Sequence, residues 1–213
     1  KIVNSQNGVK LTFKSAGDQP AISTSDDLAT IRAREIVEEI SHIEIAANSQ
    51  LEQPLLLERA NLTGQPQASR TLITCGANSH ATIILNNSGD AILSDEIEFD
   101  LSQGSMLTFV SLQEWSSKAI HLGRQHAIIA KDATFNSIVV TVGGSLVRLL
   151  PTVEYSGPGS SADLQGLYFA TDGQHLEHRL HVDHNVANAK SRVNYKGALA
   201  GDKAHTVWIG DVY

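Results

Sequence analysis

Short side chains return at a nearly fixed interval along this 213-residue chain. Ser79, Ser105, Ala133, Ser161 and Ala189 are spaced 26, 28, 28 and 28 residues apart, and each stands at the mouth of a run rich in Val, Ile, Leu, Thr, Phe or Tyr. A fixed period of this size marks stacked structural repeats. A small residue at one azimuth, followed by a strand, is what the corners of a β-solenoid need, because backbones of successive coils approach closely there. At about 3.3 Å per strand residue, 28 residues make one coil with two long strand faces and their corners. Sandwiches and barrels, with uneven loops, do not repeat a whole coil. The expected fold is therefore all-β, a parallel β-helix.

The remaining segments fit one helix and many strands. Ser25-Asp26-Asp27 offers an N-cap and an acidic first turn, and Leu28, Ile31, Ile36 and Ile40 follow at helical spacing, so the sequence predicts one amphipathic helix over about Asp26–Ile40. From His42 the period changes to two. Strand-like runs then fall at 42–46, 54–58, 70–75, 81–86, 96–101, 106–114, 126–130, 135–142, 146–150, 163–170, 178–182, 191–199 and 205–212, with a weak one at Val9–Phe13. Gly, Asn, Asp and Ser separate them. This divides the chain into an N-terminal arm with a short helix, 1–40, and a β-helix core, 41–213. The first residue is Lys1 and the last run stops at Val212-Tyr213, so both ends read as cuts in something longer.

Charge and composition narrow the partners. The net charge of −7 gives no electrostatic footprint for nucleic acid or an anionic membrane, and the 41% hydrophobic content is too interspersed with charge for a membrane span. One cysteine, Cys75, rules out an internal disulfide framework and suits a reducing compartment. It sits in the apolar run Leu72-Ile73-Thr74-Cys75, where a buried, inert thiol is expected.

Four of the nine histidines lie three apart, at His175, His178, His181 and His184. On a strand, residues three apart point to opposite faces and lie about 10 Å from one another, too far for one ion with bonds of about 2 Å. One strand therefore does not make a metal site here. His178 and His184 are expected inward and His175 and His181 outward, and the metal reading left open is an ion held between coils or subunits by one or two of them. Gln113 and Trp115 close a strand, where Trp caps an apolar stack and Gln serves corner backbone groups. Gly143-Gly144 reads as a tight corner. The carboxylates Asp95 and Glu96 read as solvated loop residues, and the basic residues as scattered. No nucleophile–base pair or phosphate loop is present as a motif.

The stretch Leu176–Tyr213 resembles the core of the SufB/SufD family of iron–sulfur cluster assembly proteins. His184, Asn188, Ser191, Tyr195-Lys196-Gly197 and the strand Ala204–Val212 carry the resemblance. Pro54-Leu55-Leu56-Leu57, Leu112-Gln113-Glu114-Trp115, Lys131-Asp132-Ala133 and Gly143-Gly144-Ser145-Leu146-Val147-Arg148 follow the family's order upstream, so the match spans most of Ser41–Tyr213. It is nearer the SufD member, since the SufB member usually carries more cysteines.

The resemblance implies a right-handed parallel β-helix and a non-catalytic subunit of a cytoplasmic complex. Its partners would be a SufB-like scaffold and a SufC-like ATPase, and its role cluster assembly or iron acquisition. No cofactor is expected in this fragment, the iron–sulfur cluster being handled at the level of the complex. The family's Cys-x-His segment and its ATPase-docking helical region lie downstream of Tyr213. Gln113, Trp115, His184, Ser191 and Lys196 carry over as candidate binding residues, with no metal ligand and no catalytic residue assigned. An open coil end with unpaired strand edges predicts self-association.

Two competing readings are a β-helical polysaccharide-active enzyme and a cupin-like metal-binding barrel. The first needs a row of carboxylates at equivalent positions of adjacent coils. Aligned on a 28-residue period, Glu98 falls near Gln125, Val153 and Val182 and gives no such row. The second needs histidines of two strands to converge.

Overall fold

Alternation of inward and outward residues, repeated coil after coil, builds the molecule. In the computed structural model, residues 1–4, 6–60, 62 and 64–213 are described. They form a parallel β-solenoid of about six turns. One sheet holds β2 (Glu39–Ile45), β4 (Pro66–Cys75), β6 (Ile92–Leu101), β8 (Ile120–Ile129), β10 (Leu146–Tyr155), β12 (His175–Asp183) and β14 (His205–Val212), with β1 (Val9–Ser15) antiparallel on its β2 edge. The other sheet holds β3 (Leu55–Arg59), β5 (His80–Gly89), β7 (Met106–Trp115), β9 (Thr134–Thr141), β11 (Ser161–Ala170) and β13 (Lys190–Leu199). From β2 onward successive strands alternate between the two sheets, so each coil stacks in parallel on the last.

The corner stack predicted from the small residues exists, with two corrections. Backbone N–H groups of His80, Met106, Thr134, Ser161 and Lys190 donate to the carbonyls of Ser49, Ser79, Ser105, Ala133 and Ser160 at 2.8–3.0 Å. The member in the fourth coil is thus Ser160, fully buried, and Ser161 is the first residue of β11. Nor is the period constant. Partners along this sheet are His80↔Met106, Met106↔Thr134, Thr134↔Ser161 and Ser161↔Lys190, which are 26, 28, 27 and 29 residues apart. The corners absorb the extra residues while the ladders stay in register.

A second stack, one residue earlier, explains why these corners turn. Asn48, Asn78, Gly104, Asp132, Gly159 and Asn188 all have φ between 55° and 77°. Only Gly, and Asn or Asp with their short polar side chains, enter this region readily. A Cβ on Gly104 would lie 2.6 Å from Asn78 Oδ1. Gly143 turns the opposite corner as expected, for its Cβ would lie 2.1 Å from the Trp115 carbonyl oxygen.

The interior is filled by inward rows of both sheets. Phe99, Phe109 and Phe135 stack at its centre with ring centroids 4.8 and 5.0 Å apart. Cys75 is buried in this cluster, and burial, with Asp100 nearby, pushes its thiol up to about 12, so it is inert at neutral pH. A second apolar cluster gathers Leu93, Trp115, Val139, Val147, Leu149 and Leu176.

The helix is shorter than its sequence pattern. α1 (Leu28–Ile36) is capped by Asp27, which accepts from Thr30 N at 2.9 Å, and it stops before Ile40. Ile40 belongs to β2, where strand pairing overrides helical spacing, and it is buried. Among the described residues no helix is long and apolar enough to cross a membrane.

Candidate functional site

Asp95 and Glu96 are not solvated loop residues. They lie in β6, both buried, and their side chains leave the strand on opposite faces. Asp95 points inward. Its Oδ2 accepts from Arg59 Nη1 at 2.8 Å, and its Oδ1 lies 2.5 Å from His121 Nε2. The same Arg59 also donates to Asn87 Oδ1 at 3.0 Å.

The chain of contacts runs on through His121 to the two residues singled out by resemblance. Gln113 Oε1 lies 2.7 Å from Trp115 Nε1 and 2.8 Å from His121 Nδ1, and Gln113 Nε2 donates to Ser111 Oγ at 2.8 Å. An indole N–H can only donate, so it fixes the carbonyl of Gln113 as acceptor. His121 Nδ1 lies against that same oxygen and 3.3 Å from the indole nitrogen, while Nε2 faces the Asp95 carboxylate. Gln113 therefore serves side chains rather than the corner backbone.

Asp95 stays ionised in this setting. Burial alone would raise its carboxyl, but Arg59 and His121 outweigh that and hold it at about 2. Space for the contact comes from Gly123, whose Cβ would lie 2.8 Å from Asp95 Oδ1 and 2.9 Å from Leu149 Cδ2. Further along the axis Thr141 Oγ1 meets His178 Nε2 at 3.1 Å, and His178 stacks on Tyr168 with centroids 5.1 Å apart. Burial lowers His178 to about 4, so it is neutral there.

The other candidate residues fall elsewhere. His184 follows β12, leaning on the Tyr155 ring at 5.0 Å, with Nε2 2.8 Å from Ser191 Oγ. Lys196 is exposed on the outer face of β13, opposite to the inward Tyr195. Resemblance thus gives three separate places: Gln113 with Trp115, His184 with Ser191, and Lys196 alone. His178 is inward and His175 and His181 are outward as expected, but His184 is only half-buried.

A second buried charge system lies on the outer face, beneath the arm. Arg34 of α1 grips Glu96 with two bonds, Nη2 to Oε1 at 2.6 Å and Nε to Oε2 at 2.8 Å. Arg124 Nη1 reaches Glu96 Oε1 at 2.7 Å, and Arg70 Nη2 reaches Glu98 Oε2 at 3.2 Å. Ser23 Oγ and Ile22 N donate to Glu98 Oε1 at 2.9 and 3.0 Å. Asp27 pairs with Arg148, and Arg124 Nη2 donates to Thr24 O at 3.1 Å. These basic residues are far apart in sequence but converge here. Burial, and Glu96 alongside, raise the Glu98 carboxyl above its usual range. Glu98 pairs in register with His126, and His126 with Thr152, so the row differs from the one a constant 28-residue period gives. It carries no ladder of carboxylates.

Sequence reasoning missed Arg59, Asp95, His121 and the Arg34–Glu96 pair. A signal for Asp95 was present, since it shares parity with the apolar Ile97, Phe99 and Leu101 once β6 is begun at Ile92.

Comparison with known proteins bears on the same residues. The family described as the SufBD core domain of the SUF system of iron–sulfur cluster assembly matches residues 57–213. A protein of Mycobacterium leprae named as an iron–sulfur cluster assembly SufBD family protein is 46% identical over 138 residues, covering 62% of this chain and 35% of that protein. A protein of the same name from Mycobacterium tuberculosis is 44% identical over 138 residues, with the same coverage. Another from Mycobacterium leprae is 23% identical over 148 residues, 67% of this chain and 17% of that protein. The chain spans about a third of the length of the first two of these relatives. With the solenoid and its coil order in place, the match over 57–213 assigns the chain to the SufB/SufD family of iron–sulfur cluster assembly proteins.

Proposed function

We propose that the chain is a non-catalytic structural subunit of a cytoplasmic SufBCD-type complex, holding partners in place while an iron–sulfur cluster is assembled or iron is acquired. A SufB-like scaffold and a SufC-like ATPase are its partners, and the cluster is cargo of the complex. The observation that carries this reading is the family match over 57–213. The geometry favours it in a second way. Asp95 is an ionised carboxylate locked between Arg59 and His121, and Glu96 is locked by Arg34 and Arg124. Carboxylates held in this manner stiffen a rod and are poorly placed to exchange protons with a substrate.

Co-purification of the tagged full-length protein tests the reading. The expected result is a stoichiometric complex containing an ATPase subunit and a SufB-like protein. Recovery of the full-length protein alone, from cells expressing both candidates, would overturn it. The 213-residue chain itself is expected to self-associate through its coil end, where β13 and β14 have no outer strand partner among the described residues. Sedimentation showing a strict monomer at high concentration would contradict that.

A further inference from the structure

Two imidazoles meet on the outer face of the solenoid at a point the preceding sites do not use. His175 of β12 and His205 of β14 are register partners on adjacent parallel strands. Their Nδ1 atoms are 2.7 Å apart and their ring centroids 4.6 Å apart. At that separation the two nitrogens share one proton between two lone pairs.

The far side of His175 fixes which of its nitrogens is free. His175 Nε2 lies 3.0 Å from Glu177 Oε2, and the other carboxylate oxygen of Glu177 accepts from Arg179 Nε. Ion-paired with Arg179 through one oxygen, the Glu177 carboxylate offers the other as an acceptor. His175 therefore carries its proton on Nε2 and presents Nδ1 as a lone pair. A carboxylate that takes one N–H of an imidazole and leaves the other nitrogen bare is the outer-shell arrangement of metal-binding histidines. Both rings are accessible, His175 being half-buried and His205 exposed.

We propose that His175 Nδ1 and His205 Nδ1 form a two-imidazole site for an exchangeable divalent cation of the first transition row. Imidazole pairs suit zinc, cobalt, nickel and iron(II), with water filling the other positions. On loading, the bridging proton passes through solvent to Nε2 of the exposed His205 ring, so both rings stay neutral and both Nδ1 atoms become ligands. Metal–nitrogen bonds of about 2.0–2.1 Å at a tetrahedral angle set the two nitrogens about 3.3 Å apart, so the rings must part by roughly 0.6 Å. His205, whose side chain is exposed on the outer face, has room to do so. Among the described residues no group of three or more His, Cys, Asp or Glu is placed to hold an ion. The site is accordingly open and weak rather than a resident metal centre. It stands independently of the assembly role proposed above.

Titration of the purified protein with Co2+, read by its visible absorption and by competition with a chromophoric chelator, tests this. One saturable site per chain is expected. His175→Ala and His205→Ala should each weaken it at least about tenfold, as should Glu177→Ala, which keeps both ligands but frees the ring. His181→Ala, the other outward histidine of β12, should leave it unchanged, and His205→Ala should melt within about 2 °C of wild type, since an exposed side chain is removed. Absence of a saturable site, or a His205→Ala variant that binds as wild type does, would overturn the proposal.

Discussion

Asp95 and Glu96 are neighbours in sequence and belong to two different buried charge systems. Asp95 is enclosed by the solenoid itself, between Arg59 and His121, whereas Glu96 is enclosed only because the arm lies over it and brings Arg34. In a strand the peptide between them is enough to send one inside and one outside. The difference teaches which charges belong to the fold and which fasten an appendage to it. Arg70, Arg124, Glu96 and Glu98 balance one another on the sheet, and Arg34 is added by the arm. The inner system cannot open without opening the coil.

The largest expected effect follows from breaking the inner system. Asp95→Asn leaves the buried His121 and the partly buried Arg59 without their anion, and about 3–5 kcal/mol of stability should be lost in denaturant unfolding. The pH dependence has a definite sign. The folded-state value of about 2 is below the ordinary 3.8, so the contribution of Asp95 is present above pH about 4 and is lost as pH falls toward 2. It amounts to about 2 kcal/mol, and the wild-type-minus-variant difference curve should show that slope. A flat difference curve would mean that Asp95 is not paired inside the coil.

Gly123→Ala tests the same place by space rather than charge. Its Cβ has no room beside Asp95 and Leu149, and a loss of about 1–3 kcal/mol is expected in thermal unfolding. For the outer system the effect should be smaller and local. Arg34→Ala removes the arm's grip on Glu96, costing about 1–2 kcal/mol and speeding amide exchange in α1, while β6 and β8 keep their protection. Uniform loss of protection would show that the arm is part of the cooperative core.

Glu98→Gln should cost least, within about 1 kcal/mol, because the amide oxygen still accepts from Ser23 and Ile22. Its sign is opposite to that of Asp95. With the Glu98 carboxyl raised by burial and by Glu96, the folded state favours the protonated form. The contribution of Glu98 therefore grows as pH falls through the raised value. Chemical denaturation of Glu98→Gln and wild type at neutral and acid pH checks this.

Much of the solenoid was legible because its signal is local. Small corner residues, alternation and the change of period after α1 need no knowledge of distant partners, and they located every strand run. What failed was whatever depends on register between coils. The corner residue slipped from Ser160 to Ser161, and Glu98 was set against Gln125 rather than His126, because coils of 26 to 30 residues do not obey one period. Asp95 was misplaced by starting β6 four residues late, which turned an inward carboxylate into a loop residue. Arg34, Arg59 and Arg124 lie 62, 36 and 28 residues from their carboxylates, and no pattern in the chain announces such pairs. The candidate site fared likewise: Gln113 and Trp115 were found by resemblance, and His121, which joins them to Asp95, was not.

The chain has two tryptophans, which permits a direct measurement of the enclosed network. Trp115 is 3% exposed with its indole N–H bonded to Gln113, while Trp208 is 44% exposed. Hydrogen exchange of the two indole N–H groups, followed by NMR, should give one resonance that exchanges only with global unfolding and one that exchanges rapidly. In Asp95→Asn the slow one should accelerate with the loss of global stability. Rapid exchange of both indoles in the wild-type protein would contradict a sealed, fully paired chain from Arg59 to Trp115.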